Sequence, residues 1–121
     1  MVEDRITDGK RIAELLASEL SARETGPLAN VSVVDADREA IPSEDGTPAY
    51  GIATDDRRIG VVSLFPDYAR VTLTIGADAV RNEAPSAGIP ARLEDGETVL
   101  RVESGAAVKR AADLIGTAVD T

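Results

Sequence analysis

The chain begins and ends with stretches in which apolar residues recur at helical spacing, so a helix is predicted near each end. The first spans residues 8–24, with Asp8 as the predicted N-cap and Gly26-Pro27 after the last turn. Its apolar positions are Ile12, Leu15, Leu16 and Leu20. The second follows Ser104, its predicted N-cap, and continues to about Val119. Its apolar positions are Val108, Ala111, Ala112, Ile115 and Val119.

Between these helices the apolar positions alternate with polar ones or form short runs, as they do in β-strands. Strands are predicted over residues 29–35, 48–54, 58–65, 69–76, 91–94 and 98–103. The alternation is clearest in the fourth, where Val71, Leu73 and Ile75 point to one face. Turns are predicted at residues 54–57, 65–68 and 95–96. The pattern therefore predicts strands that are joined mainly as antiparallel hairpins.

Residues 77–90 fit two interpretations, a short helix from Asp78 to Glu83 that Pro85 stops, or an irregular crossover. In either case the chain lacks the regular strand–helix alternation of a parallel sheet. We predict a single α+β domain over residues 1–121. In it, the N-terminal and C-terminal helices pack on one face of a mainly antiparallel sheet of about five or six strands.

Composition excludes several kinds of chemistry. The chain has no Cys and no His, which removes disulfides, thiolate nucleophiles, the usual general base and the commonest zinc ligand. No apolar stretch approaches the roughly 18 residues of a membrane span. The first residues, Met1–Arg5, lack the apolar run of a secretory signal. We therefore expect a cytoplasmic protein that binds no cofactor and no membrane.

The net charge is −9, from 22 acidic and 13 basic residues, and only Lys10 and Lys109 are lysines. The acids are scattered and form no long run, which favours adaptation to a salty cytoplasm over a surface for a basic partner. In this acidic, Lys-poor composition rich in Ala, Val, Asp and Arg, the chain resembles the small uncharacterised proteins of haloarchaea. The resemblance is compositional and carries no catalytic residue. Nucleic-acid binding is not expected, because a basic stripe and an aromatic platform are both missing.

The few aromatic residues form the first candidate site. Tyr50, Phe65 and Tyr68 would meet if the second and third strands pair, and could line a pocket or anchor an interface. Packing at the sheet end is the favoured interpretation. Arg57 and Arg58, at a predicted hairpin, could grip phosphate or carboxylate. The two aspartates before them neutralise that charge, so a solvated turn is favoured.

Helix starts and an acidic loop give further candidates. Ser104-Gly105 opens the last helix and Lys109 lies one turn inside it, so an anion could bind there, although a plain N-cap is favoured. The same alternatives apply to Asp8–Lys10. Asp35–Glu39 resembles the start of a calcium loop but lacks the Gly and Glu that later positions require. No metal site and no catalytic residue is predicted.

Three functions remain as hypotheses. The first is a non-catalytic interaction module that self-associates or binds another protein. Val34, Val62, Leu64 and Val99 lie off the predicted inward registers and could line a dimer surface. The second is a small-ligand or anion-binding protein that uses a helix N-terminus and nearby Arg. The third is a carboxylate-dependent enzyme, with or without magnesium, in which acids converge in a cleft.

Overall fold

A computed structural model describes residues 7–120 of the protein. Its helices and strands, in chain order, are α1 Gly9–Ala22, β1 Val31–Val34, β2 Thr47–Thr54, β3 Arg57–Leu64, β4 Ala69–Leu73, α2 Ala77–Ala87, β5 Ala91–Glu94, β6 Glu97–Val102 and α3 Val108–Val119. Short 3₁₀ segments precede β1 and α3, at Gly26–Asn30 and Gly105–Ala107. The first of these includes residues 29–30, which the alternation pattern assigned to β1, so that strand is shorter than predicted.

The strands form one six-stranded sheet in the order β1-β2-β3-β4-β6-β5, and every neighbouring pair is antiparallel. The first four strands form a meander, and α2 then carries the chain past β6 to the opposite edge. Two predicted turns are confirmed by positive φ at both central residues, 50° and 64° at Asp55-Asp56 and 51° and 83° at Asp95-Gly96. Tight hairpin turns of this kind need positive φ, which Asp and Gly tolerate best.

All three helices pack on the same face of this sheet, so the predicted α+β architecture is confirmed and α2 joins the two end helices. Their buried side chains form one core with alternate strand residues: Ile12, Leu16, Leu20, Val80, Ala84, Leu114 and Ile115 from the helices, and Tyr50, Ile52, Val62, Leu64, Val71, Leu73, Leu100 and Val102 from the sheet. Leu16 and Ile115 are both 0 % exposed. Burying each large aliphatic side chain stabilises the fold by roughly 1.5–3 kcal/mol.

A register shift inside β3 corrects one prediction about the sheet surface. The shift lies between Ile52 and Ala53 of β2 and leaves Ile59 without an opposite residue. Ile59 is fully buried in the core, next to Gly60, which has no side chain to contribute. Val62 and Leu64 also face the helices and are 0 % and 1 % exposed. The prediction that these two residues line an outer dimer surface is therefore wrong, because the bulge changes the phase of the alternation.

The segment with two predicted interpretations is helical, and α2 continues through Pro85 instead of stopping before it. Gly76, with φ 68°, occupies the N-cap position, so Asp78 lies in the first turn and is not the cap. Proline lacks the N–H that a helix interior needs. Here Pro85 falls in the last turn, because the helix ends at Ala87 and Gly88 adopts a left-handed conformation with φ 68°.

The end helices agree with the sequence at some termini and not at others. Asp8 is the N-cap of α1, as predicted, and its carboxylate accepts a hydrogen bond of 3.1 Å from the Arg11 N–H. The helix ends at Ala22, and Gly26 begins the 3₁₀ segment instead of terminating α1. Ser104 makes no side-chain capping bond. It occupies the N-cap position of the 3₁₀ turn that leads directly into α3, so the helical segment starts where the sequence predicts and only the side-chain bond is absent.

Candidate functional site

The face of the sheet opposite the helices has no covering helix within residues 7–120, and we call it the open face. Three buried apolar residues of the chain, Ala53, Phe65 and Val99, lie outside the helix-covered core for this reason. One residue from each of the six strands lies in a row across the open face, each opposite its neighbour on the next strand. We call these residues the central row: Val34, Gly51, Val61, Thr72, Val99 and Arg92. Solvated faces of antiparallel sheets normally carry polar residues at such positions. The central row is instead mostly aliphatic or small.

Phe65 and Tyr68 stack on each other at the end of the open face where β3 turns into β4. Their ring centres are 4.4 Å apart and their planes differ by 7°. The guanidinium carbon of Arg70 lies 4.9 Å from the centre of the Phe65 ring. That of Arg101 lies 3.9 Å from the centre of the Tyr68 ring. We call these four residues the aromatic–arginine cluster.

The local backbone explains why the cluster forms. Phe65 donates its N–H to the Tyr68 carbonyl at 3.0 Å, which closes the turn and brings both rings to the same side. Arg70 and Arg101 occupy opposite positions on the neighbouring strands β4 and β6, so their side chains leave the sheet side by side. Gly46 lies against the cluster, because a Cβ there would be 2.7 Å from the Phe65 ring and 3.4 Å from Arg70 Nη2.

Most arginines of the open face have a carboxylate partner. Arg58 pairs with Asp35, Arg92 pairs with Glu94, and Arg101 Nε lies 2.9 Å from Glu103 Oε2. Arg70 differs from them. Among residues 7–120 it forms no ion pair and no hydrogen bond, and its Nε is buried without an acceptor.

The strands of the open face carry arginines and acids in equal number. The arginines are Arg58, Arg70, Arg92 and Arg101, and the acids are Asp35, Glu94, Glu97 and Glu103. The whole chain carries a net charge of −9. The excess negative charge therefore lies outside these strand positions, including at Asp45 and Asp67 in the loops next to the aromatic–arginine cluster.

Tyr50 does not join the other two aromatic residues. It faces the helices, is 7 % exposed, and donates its hydroxyl to the Ala13 carbonyl of α1 at 2.7 Å. Burial raises the pKa of the Tyr50 phenol above its ordinary value. The predicted trio is thus divided between the two faces of the sheet, and only Phe65 and Tyr68 meet.

A groove between α1 and the loop after β1 was not predicted from the sequence. Its volume is about 480 Å³. Apolar walls and a charged rim surround it: Lys10, Ala13, Glu14, Ala17, Ser18, Ser21, Val33, Ala36, Asp37, Arg38, Ala49, Tyr50 and Leu64. Lys10 Nζ donates to the Arg38 carbonyl at 2.8 Å across one end. Residues from four separate segments form it, so no local pattern could have indicated it.

The remaining predicted site residues lie apart from one another. Arg57 is exposed at the β2–β3 hairpin, and its neighbour Arg58 is engaged by Asp35. Gly105 is buried and Lys109 is exposed at the start of α3. Within the described part of the chain, no group of three or more Asp or Glu residues could hold a metal ion. No helix among residues 7–120 is long and apolar enough to cross a membrane.

Comparison with known proteins gives a family but no activity. A family model described as "Family of unknown function (DUF7993)" matches residues 1–121. No curated protein and no solved structure matches the chain. The geometry of the open face therefore has to carry the functional argument.

Proposed function

The chain belongs to this family of unknown function, and we propose that it is a non-catalytic interaction module that pairs with a second copy through the open face. The observation that carries the proposal is the central row. Val34 and Val61 are only half-buried there, and no helix covers them in the described structure. Val99, between them and β5, is already 8 % exposed. A second layer on this face would remove the exposed parts of Val34 and Val61 from water, which is favourable in proportion to the apolar area buried.

The charge balance of the open face indicates which partner fits. A two-fold symmetric dimer brings the same surface of each copy together, so that surface has to complement itself. The open face offers arginines and acids in equal number, so Arg92 or Arg101 of one copy can meet Glu94 or Glu103 of its partner. Elsewhere the negative charge of both copies opposes association, and molar salt reduces this repulsion because the Debye length falls to about 3 Å.

The aromatic–arginine cluster provides the residue types that dominate binding energy at interfaces. Tyr and Arg are enriched among interface hot spots, and large rings contribute contact area at low entropic cost. Tyr68 is partly exposed and is already held by its stacking on Phe65, which is buried. Little side-chain freedom is therefore lost when a partner covers Tyr68.

Light scattering on the full chain in molar potassium chloride tests this proposal. We expect a concentration-dependent dimer for the native sequence and a monomer for Val61→Glu, which places a charge in the middle of the central row. Leu93→Glu is the matched control, because Leu93 is 49 % exposed on β5 and points away from the open face. It should leave the dimer intact. A native chain that stays monomeric at every concentration would refute the proposal.

The two other hypotheses stay predictions. The anion-binding hypothesis places the anion at the start of the last helix. There Ser104 makes no side-chain capping bond and Gly105 is buried. The carboxylate-dependent enzyme hypothesis needs acids that converge in a cleft. Three of the four acids on the described open face, Asp35, Glu94 and Glu103, are instead engaged in ion pairs with arginine.

A further inference from the structure

We propose that the groove between α1 and the loop after β1 binds a small organic anion, a carboxylate with an apolar body, whose charged group lies beside Lys10. The groove has a volume of about 480 Å³, and small-molecule sites typically measure about 300–1,000 Å³. Its floor consists of side chains that the fold buries: Ala13, Ala49, Tyr50 and Leu64. Binding sites of this size are mostly apolar, with a few charged groups that orient the ligand, and the groove has this composition.

The walls of the groove offer apolar surface that a ligand would cover. Val33 of β1 and Ala17 of α1 are half-buried, and Ala36 in the loop is exposed. An apolar ligand body would remove these side chains from water, which is favourable in proportion to the area buried. The floor beneath them is already ordered, because Tyr50 donates its hydroxyl to the Ala13 carbonyl at 2.7 Å. Binding therefore loses little side-chain freedom of the protein.

One end of the groove carries positive charge that no carboxylate neutralises. Lys10 Nζ donates to the backbone carbonyl of Arg38 at 2.8 Å, and this acceptor is neutral. Among residues 7–120 neither Lys10 nor Arg38 forms an ion pair. An ammonium group has three N–H donors, so the bond to the carbonyl leaves two for a ligand. A carboxylate would accept them as charge-assisted hydrogen bonds, which are stronger than neutral ones.

Two acids also line the groove, and neither occupies the position of the proposed carboxylate. Glu14 pairs with Arg11 at 3.4 Å. Asp37 Oδ1 accepts a hydrogen bond of 3.0 Å from the backbone N–H two residues later. With Arg11 included, the groove has three positive and two negative side chains, in a chain whose net charge is −9. This local excess of positive charge favours an anion over a cation as the occupant.

The shape of the groove indicates an elongated ligand. The α1 residues that line it recur every three or four positions from Lys10 to Ser21, so they form one face of the helix. Eleven residues of helix rise about 16 Å. Lys10 lies at one end of this face, whereas Ser18 and Ser21, which carry no charge, lie at the other. A molecule with one carboxylate at its end and an apolar body along the helix matches this order.

Nuclear magnetic resonance titration of the ¹⁵N-labelled full chain tests the site with three probes at constant potassium chloride and pH. Phenylbutyrate has both the carboxylate and the apolar body, phenylbutanamide lacks the charge, and acetate lacks the body. We expect phenylbutyrate to give saturable shifts of the backbone N–H signals around the groove. Phenylbutanamide should bind about fivefold more weakly, because its hydrogen bonds are not charge-assisted. Acetate should not saturate over the same concentrations, since it covers almost none of the apolar wall.

The two lysines of the chain provide a matched pair of variants. Lys10→Gln removes the charge but keeps an N–H donor for the Arg38 carbonyl. It should weaken phenylbutyrate binding about fivefold and change phenylbutanamide binding by less than about twofold, a split that a merely structural role of Lys10 would not produce. Lys109→Gln removes the same charge from an exposed position outside the groove, and should change both affinities by less than about twofold.

A second pair of variants tests the groove without altering charge. Ala17→Leu places a larger side chain in the groove and should abolish saturation by phenylbutyrate and by phenylbutanamide. Ala22→Leu is its control, because Ala22 is exposed at the end of the same helix and does not line the groove. Melting temperatures of all four variants show whether each one folds, and either pair alone decides the question.

Three outcomes would overturn the inference: no saturable shift with phenylbutyrate, an equal loss of affinity in Lys10→Gln and Lys109→Gln, or saturation that survives in Ala17→Leu. The groove lies on the helix side of the sheet, so the inference does not depend on the dimer through the open face. Light scattering on the same samples keeps the two proposals apart. A monomer with saturable binding supports the groove and refutes self-association, and a dimer with no saturable shift does the reverse.

Discussion

Tyr50 is the only buried phenol of the described chain, and replacing it by phenylalanine gives a stability change whose sign should depend on pH. Its ring lies in the core and its hydroxyl donates to the Ala13 carbonyl at 2.7 Å. Tyr50→Phe keeps the ring and removes only the hydroxyl. At neutral pH the change should therefore cost about 0.5–1.5 kcal/mol, the net contribution of one hydrogen bond.

At alkaline pH the native protein should become less stable than Tyr50→Phe. Burial raises the pKa of Tyr50 in the folded protein above the ordinary value of 10.0 that applies to the unfolded chain. Below about pH 10 both states keep the proton, and the stability from the neutral phenol is fully present. Above about pH 10 the unfolded chain loses its proton first, so the native protein loses about 1.4 kcal/mol of stability for each further pH unit. Tyr50→Phe has no such proton and is spared this loss.

The two stability curves should therefore cross about one pH unit above 10, where the alkaline loss equals a hydrogen-bond cost of roughly 1 kcal/mol. Urea unfolding of both proteins at about pH 8 and about pH 11 in the same salt measures the difference. The rest of the sequence is identical in the two proteins, so the comparison isolates Tyr50. A difference that stays constant between the two pH values would refute the buried, neutral state of Tyr50.

Two further predictions concern packing and charge. A Cβ on Gly9 would lie 1.9 Å from the Phe65 carbonyl oxygen and 2.4 Å from that of Tyr68. Gly9→Ala should then cost about 3 kcal/mol in urea unfolding. A Cβ on Gly116 meets no atom nearer than 3.6 Å, so Gly116→Ala should stabilise α3 by about 0.5–1 kcal/mol. If the two substitutions changed the free energy of unfolding in the same direction, the packing argument would be contradicted. The melting temperature should rise steeply from dilute buffer to molar potassium chloride, because the net charge of −9 repels itself when unscreened. A flat melting temperature would contradict the high-salt interpretation.

The elements that sequence reasoning predicted well are those with a strictly local cause. Helical spacing placed Leu16 and Ile115 in the core, and both are fully buried. Asp8 caps α1 through a bond to a residue three positions later. The Asp95-Gly96 turn requires positive φ at both residues, which their side chains allow. Each of these features depends on residues that are close together in the chain.

The parts that sequence reasoning missed depend on partners far away in the chain. Val62 and Leu64 face the core because Ile59 is an extra residue relative to β2, and an alternation pattern does not reveal such a shift. The helix α2 continues through Pro85 because Val80 and Ala84 of the same helix are buried in the core. That burial outweighs the tendency of proline to end a helix.

The candidate site was predictable only where its contacts are local in the chain. Phe65 and Tyr68 flank one turn, so their meeting has a local cause, whereas Tyr50 lies on another strand and its face depended on the register with β3. Arg70 and Arg101 lie opposite each other, and so flank the stacked rings, only because β6 pairs with β4. That pairing follows from the passage of α2 past β6, which no local pattern contains.

The two faces of the sheet divide stability from self-association, and this division makes the proposed dimer separable from the fold. One face is covered by all three helices and holds the aliphatic core. The other carries the aromatic–arginine cluster and the central row, whose side chains are not part of that core. A change such as Val61→Glu should therefore alter association while most of the free energy of unfolding remains. If this change instead unfolds the protein, the open face contributes to the fold itself and a stable domain with a free binding surface is the wrong description.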